Sequence, residues 1–257
     1  MMPFYVTTKF VAPYAGRMLV VVCFVLFFSE QIKAQPAGTL LTPFSSAALG
    51  APPPSWRVVG LLRKKISPME VVLHDGTPQL RVLTDSSYGM LVHAVVPAVP
   101  GPAATLRWRW QLVETLARAD LRRKDGDDTA LKVCAMFDLP LDKLSFMERN
   151  LLRLARAASA EPLPAATLCY VWDTTLPTGT LLPNAFSERV RYLVLNGQEA
   201  VVGQWQSHQR YLAADFKLAF GHESATVPPL VAIAIGADAD NTKSHSLGYV
   251  GDLTLQP

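Results

Sequence analysis

The 257-residue chain is expected to fold mostly as β, a two-sheet antiparallel sandwich with one or two short helices inserted. Three observations predict this. Apolar and polar residues alternate with period two in many short segments. Turn-forming pairs such as Asp75-Gly76 and Asn196-Gly197 separate several of them. Helical periodicity occurs only twice, too sparsely for the strand–helix alternation of a parallel α/β sheet.

The clearest segment is 106–112, where Leu106, Trp108, Trp110 and Leu112 alternate with Arg107, Arg109 and Gln111. In a strand these two sets point to opposite faces, one apolar and one cationic. Trp108 and Trp110 are therefore expected in the core, with Val133, Phe137, Tyr170, Ile233 and Ile235. Further strands are expected at 58–62, 70–74, 80–84, 90–96, 130–137, 168–172, 190–195, 230–236 and 247–255. A helix over 142–160 would place Leu144, Met147, Leu151, Leu154, Ala155 and Ala158 on one face. A shorter one is expected near Ala213–Phe220, ending at Gly221.

Residues 1–34 have the parts of a secretory signal peptide. Lys9 and Arg17 precede an unbroken apolar run, Met18–Phe28, and a polar stretch ending at Ala34 follows. Eleven apolar residues suit a signal core and fall short of the roughly 20 that span a bilayer. Cleavage after Ala34 would leave a periplasmic or secreted protein. An uncleaved anchor is the alternative, and a membrane is expected as a partner only through it. Residues 35–55, rich in Ala, Pro, Ser and Gly, read as a linker, and 56–257 as a single domain. Without the leader the chain carries 21 basic and 20 acidic groups, which leaves no electrostatic footprint for nucleic acid or anionic lipid.

Cys134 and Cys169 both fall in strand-like segments. They could form a disulfide in an oxidising compartment; two buried free thiols are the preferred expectation. No Ser-His-Asp order, HExxH motif or phosphate-cradling Gly loop is present. Two Asp-rich loops stand out instead. One contains Asp127 and Asp128 just before a strand that carries Lys132; the other contains Asp238, Asp240 and Asn241 just after a strand. If the loops share an edge of the sandwich, their carboxylates need compensation. Lys132 and Arg210 are the internal candidates. Calcium, held by Asp238, Asp240 and Asn241, is the external one. Backbone hydrogen bonding within the loops is the simpler reading of each cluster taken alone. Trp172 and Trp205, next to polar loops, are the candidates for stacking on a sugar ring, with Arg210 beside them.

Taken in order, the segments LRWRWQL (106–112), ADLRRKDGDD (119–128), KVCAMFD (132–138), LCYVWD (168–173), GQW (203–205), AADFKLAFG (213–221), PPLVAIAIGADADNT (228–242) and GYVGDL (248–253) resemble the bacterial domain-of-unknown-function family 3047. The resemblance runs from about Trp56 to the C-terminus. It departs from the family pattern at Lys132, where the family has Arg, and at Arg210-Tyr211, where it has Arg-Asn. The strand pattern is similar to the jelly-roll, galactose-binding-like sandwiches of carbohydrate-binding modules. That implies a carbohydrate partner by analogy of fold. Three functions are therefore carried forward: a non-catalytic binding module for envelope or extracellular glycans, a glycan hydrolase using Asp127 or Asp128 with Asp238 or Asp240, and a structural envelope protein. The first needs no catalytic constellation and is preferred.

Overall fold

The computed structural model describes residues 40–100, 104–158 and 163–256; the expected leader lies outside them. Among the described residues thirteen strands run in chain order: β1 Trp56–Val59, β2 Met69–His74, β3 Thr77–Asp85, β4 Tyr88–Val99, β5 Thr105–Glu114, β6 Leu131–Phe137, β7 Ala166–Trp172, β8 Leu181–Asn184, β9 Ser187–Asn196, β10 Gln206–Tyr211, β11 Leu230–Asp238, β12 His245–Val250 and β13 Thr254–Gln256. Helix α1, Phe146–Ala158, lies between β6 and β7, and α2, Leu212–Phe220, follows β10. A seven-stranded sheet has the order β1-β4-β11-β6-β7-β9-β8. A six-stranded sheet has the order β10-β5-β12-β3-β2, with β13 pairing the end of β5. The pairs are antiparallel except β7 with β9, which is parallel. The mostly-β, two-sheet sandwich is thus the fold.

The layers follow from the period-two pattern. Leu106, Trp108, Trp110 and Leu112 of β5 are buried, while Arg107 and Arg109 face outward. Across the core they meet β7: Trp108 lies 5.2 Å from Tyr170 between ring centroids, and Trp110 lies 6.0 Å from Trp172. Val133, Phe137, Ile233 and Ile235 complete the same layer, fully buried. In the seven-stranded sheet, β6 and β7 are buried along nearly their whole length and read as near-continuous apolar strands.

Several expectations need correction. The strand expected at 58–62 is β1, which ends at Val59, and the one expected at 247–255 is two strands, β12 and β13. Residues 40–55 are not a linker: Leu41 and Phe44 are buried in the core, and Phe44 packs on Trp56. This segment bridges to Val71 through Gly50, whose φ of 108° lies in the left-handed region that glycine favours. Of the expected apolar face of the long helix, Leu144 is buried and three residues are not. Met147, Leu151 and Leu154 are exposed, as is Phe146, and Leu152 points inward instead. The helix starts later than expected because Ser145 and Glu148 form a reciprocal cap. The Ser145 amide donates to Glu148 Oε2, and the Glu148 amide donates to Ser145 Oγ. Glu148 also holds Arg189 at 3.0 Å, which turns the helix toward β9. Cys134 and Cys169 stand directly opposite on β6 and β7 and are joined as a disulfide, not left as free thiols. Among the described residues no helix is long and apolar enough to cross a membrane.

Candidate functional site

The two Asp-rich loops do share an edge. The loop before β6 closes on itself where the Asp120 amide donates to the Gly126 carbonyl at 2.7 Å. A Cβ at residue 126 would stand 3.0 Å from the Asp120 backbone, so glycine lets the loop close this tightly without a shift. Asp120 and Asp125 are spent on Arg122 and Arg123. Asp127 and Asp128 are left at the strand entry, facing the loop that leaves β11.

Asp128 ties the loops together. Its Oδ1 accepts from the Asn241 amide at 3.1 Å, and its Oδ2 accepts from the Thr242 amide at 2.7 Å and hydroxyl at 2.6 Å. Asn241 returns the link by donating its side-chain amide to the Asp127 carbonyl at 3.0 Å. Asp238 accepts from the Thr129 amide and hydroxyl on one oxygen and from Lys132 Nζ at 2.9 Å on the other. Burial pulls the Lys132 ammonium down, but the facing Asp238, with Tyr192 and Tyr88, more than offsets it, and the group is held well above its usual range. Asp240 pairs with Lys64.

Asp127 differs from the rest. It is 4% exposed, and its Oδ2 accepts from the side-chain amide of Asn184, which also donates to the Tyr192 hydroxyl at 2.9 Å. Its Oδ1 has no hydrogen-bond partner. Burial, with the charge of Asp238 adding to it, pushes the Asp127 carboxyl up to about 6, against opposing effects of Lys132, Asn184 and Tyr192.

Asp127 and Asp238 stand at one end of a groove of about 1010 Å³ on the outer face of the seven-stranded sheet. That is the upper end of the roughly 300–1,000 Å³ typical of small-molecule sites. Sequence spacing builds its floor. In β11 the outward positions are Ala232, Ala234 and Gly236, all small; Val92 and Cys134 stand beside Ala234, and Met90 and Lys132 beside Gly236. The disulfide lies in this floor, and α1 borders the groove through Leu151 and Leu152.

The expected site residues are therefore divided. Asp127, Asp128, Lys132, Asp238, Asp240 and Asn241 come together. Trp172 does not line the groove; it is 1% exposed in the core, on the inner face of β7. Arg210 lies away from the cluster and pairs with Asp215, whose carboxylate also accepts from the Tyr170 hydroxyl at 2.7 Å. Lys64, which no spacing in the sequence marks, takes the second neutralising role expected of Arg210. Trp205 is half-buried, donates its Nε1 to Asp75 at 2.8 Å and lies under Arg109 at 4.4 Å, outside the groove. Of the groups expected to ligate calcium, the Asp238 carboxylate is engaged instead by Lys132 and Thr129, and that of Asp240 by Lys64. Among the described residues no group of three or more His, Cys, Asp or Glu side chains is arranged to hold a metal. Asn184 and Tyr192 are the groove residues that sequence reasoning missed; the Leu181–Asn184 strand is short and contains Pro183, so nothing in its pattern announces it.

No curated protein matches the chain. Among solved structures it is similar to TmCBM61 in complex with beta-1,4-galactotriose (11% identity over 86% of this chain and 99% of that one, TM-score 0.37). It is also similar to endoglucanase 3 of family GH12 from Trichoderma harzianum (8%, 81% and 93%, TM-score 0.44). A third is the family 12 xyloglucanase from Bacillus licheniformis (6%, 77% and 90%, TM-score 0.43). The profile of the family "Protein of unknown function (DUF3047)" matches residues 54–254, nearly all of the described sandwich, and the chain belongs to that family.

Proposed function

We propose that this protein is an exported, non-catalytic binding module that takes a glycan at the polar end of the outer groove. One observation carries the reading: Asp127, which lines the groove, keeps one buried carboxylate oxygen without a hydrogen-bond partner. A buried acceptor left unmade is costly, by about 1–3 kcal/mol, and a ligand hydroxyl would satisfy it. Asn184 holds the other carboxylate oxygen and is itself tied to the Tyr192 hydroxyl. The signal-like leader supports a place in the periplasm or outside the cell, where envelope and extracellular glycans are found.

The hydrolase reading keeps one supporting observation, the Asp127 carboxyl pushed up to about 6, which suits acid–base work near neutrality. Hydrolysis needs a second working carboxylate, and Asp238 and Asp240 are each engaged by a lysine. Screening the purified protein on a glycan array, then titrating the hits by calorimetry, tests the proposal. Asp127→Ala should weaken a true ligand at least tenfold, and affinity should fall as pH drops through about 6. Unchanged affinity in Asp127→Ala would move the ligand elsewhere; release of shortened glycan would favour the hydrolase.

A further inference from the structure

The groove carries more acids than bases. At the loop end it is lined by Asp127, Asp238 and Asp240, with Lys64 and Lys132 beside them. Toward α1 it is lined by Glu148 and Glu188, with Arg189, and Thr167 and Ser187 add hydroxyls. The ion pairs show which acids are left over. Lys132 is committed to Asp238 at 2.9 Å, and Lys64 to Asp240. Arg189 is shared between Glu148 at 3.0 Å and Glu223 at 2.6 Å. Lys243, on the loop after β11, donates to the Asp240 carbonyl and does not line the groove. Glu188 has only Arg191, at 3.9 Å, and is exposed, where water and salt screen its charge. Asp127 is the buried exception. Among the described residues no cation pairs with it, and the negative charge of Asp238 acts on it more strongly than the positive charge of Lys132.

A neutral hydroxyl would satisfy the free Asp127 oxygen and still leave a buried negative charge without a counter-charge. An ammonium group supplies both, with three donors, no acceptor and one positive charge. A groove with an excess of acids also gathers cations from solution. We infer that the groove takes an amino-bearing saccharide, a glycan with a free, unacetylated amine whose ammonium pairs with Asp127. The inference rests on the glycan reading of the Asp127 end and adds the group that the glycan carries there.

The test uses three trisaccharides with one backbone: β-1,4-linked glucosamine, its fully N-acetylated form, and cellotriose. They differ at one ring position, which bears an ammonium, an acetamide or a hydroxyl. Each is titrated into the purified protein by calorimetry at pH 7, with spermidine as an amine that has no sugar. The amino trisaccharide should bind about tenfold or more tighter than the other two. Asp127→Asn, which keeps the size and removes the charge, should erase that preference, and its melting curve reports that it is folded. The preference should also shrink below pH of about 6, where Asp127 takes up its proton while the ammonium stays charged. Asp238, Lys132 and Tyr192 also face Asp127, and the Asp127→Asn variant separates its titration from theirs. Equal affinity for the three trisaccharides would overturn the amine assignment and leave the glycan reading standing. A preference that Asp127→Asn leaves intact would put the ammonium elsewhere and overturn the assignment too. Spermidine binding as tightly as the amino trisaccharide, with the same dependence on Asp127, would overturn the saccharide and the glycan reading with it. No binding by any of these probes would overturn the amine assignment, while the glycan array decides the glycan reading separately.

Discussion

Replacing Asp127 by Asn is expected to stabilise the protein, and to do so only at neutral and higher pH. The Asp127 carboxyl sits at about 6 in the folded protein against an ordinary 3.8, because burial and then the Asp238 charge disfavour its ionised form. The folded state therefore binds the proton more tightly than the unfolded chain. The resulting stability is fully present below about 4 and is lost as pH rises through about 6. A separation of roughly two pH units at 1.36 kcal/mol per unit corresponds to about 3 kcal/mol, all of it a deficit at pH 7.5. Asn cannot ionise, so the variant escapes the deficit while remaining close in size. Urea melts of both proteins at pH 4, 5, 6, 7 and 8 give the difference directly, since other titrating groups cancel between them. The variant should gain roughly 2–3 kcal/mol between pH 4 and pH 7.5, or about 5–10 °C in thermal midpoint. A difference that stays flat across this range would refute the account of Asp127 as a buried, strained acid.

Three further outcomes follow from the same geometry. Lys132→Met should cost about 3–5 kcal/mol in a denaturant melt, because it leaves Asp238 buried and uncompensated; Lys132→Met combined with Asp238→Leu should recover much of that loss. Reducing Cys134–Cys169, which closes a loop of 35 residues, should lower stability by about 3–4 kcal/mol, read as a shift in urea midpoint with and without reductant. EDTA and added calcium should both leave the melting temperature unchanged, since the Asp238 and Asp240 carboxylates already have lysine partners; a rise with calcium would restore the cation reading.

The legible part of the fold was the part ruled by alternation. β5 showed its buried and exposed faces in the sequence because a strand separates odd from even positions, and its tryptophans lie where that pattern puts them. The joining of the two Asp loops was legible as a possibility of strand-end geometry, and Asp128 is the residue whose hydrogen bonds make it real. Lys64 was not legible. It reaches Asp240 across 176 positions from a loop of consecutive basic residues, none distinguishable from the others before folding. Trp172 was misread because neighbouring polar loops say nothing about the direction in which a strand's last side chain points. The apolar stripe of α1 was legible, but not its exposure, since periodicity reports an amphipathic stripe and not what lies against it.

The segment before β1 has a topological consequence. Leu40 donates its amide to the carbonyl of Leu255, and the Phe44 and Ser45 amides donate to Asp252, so the two extremities of the described sandwich are stitched side by side. They meet at β13, on the six-stranded sheet, while the groove opens on the outer face of the other sheet. The sandwich is in effect a closed ring with a seam. A short peptide joining residue 256 to residue 40 would close that ring, and new ends could be cut at the Asp75-Gly76 hairpin without disturbing the groove floor. A carrier or surface tether attached at the seam would likewise hold the domain by its back and leave the groove facing outward.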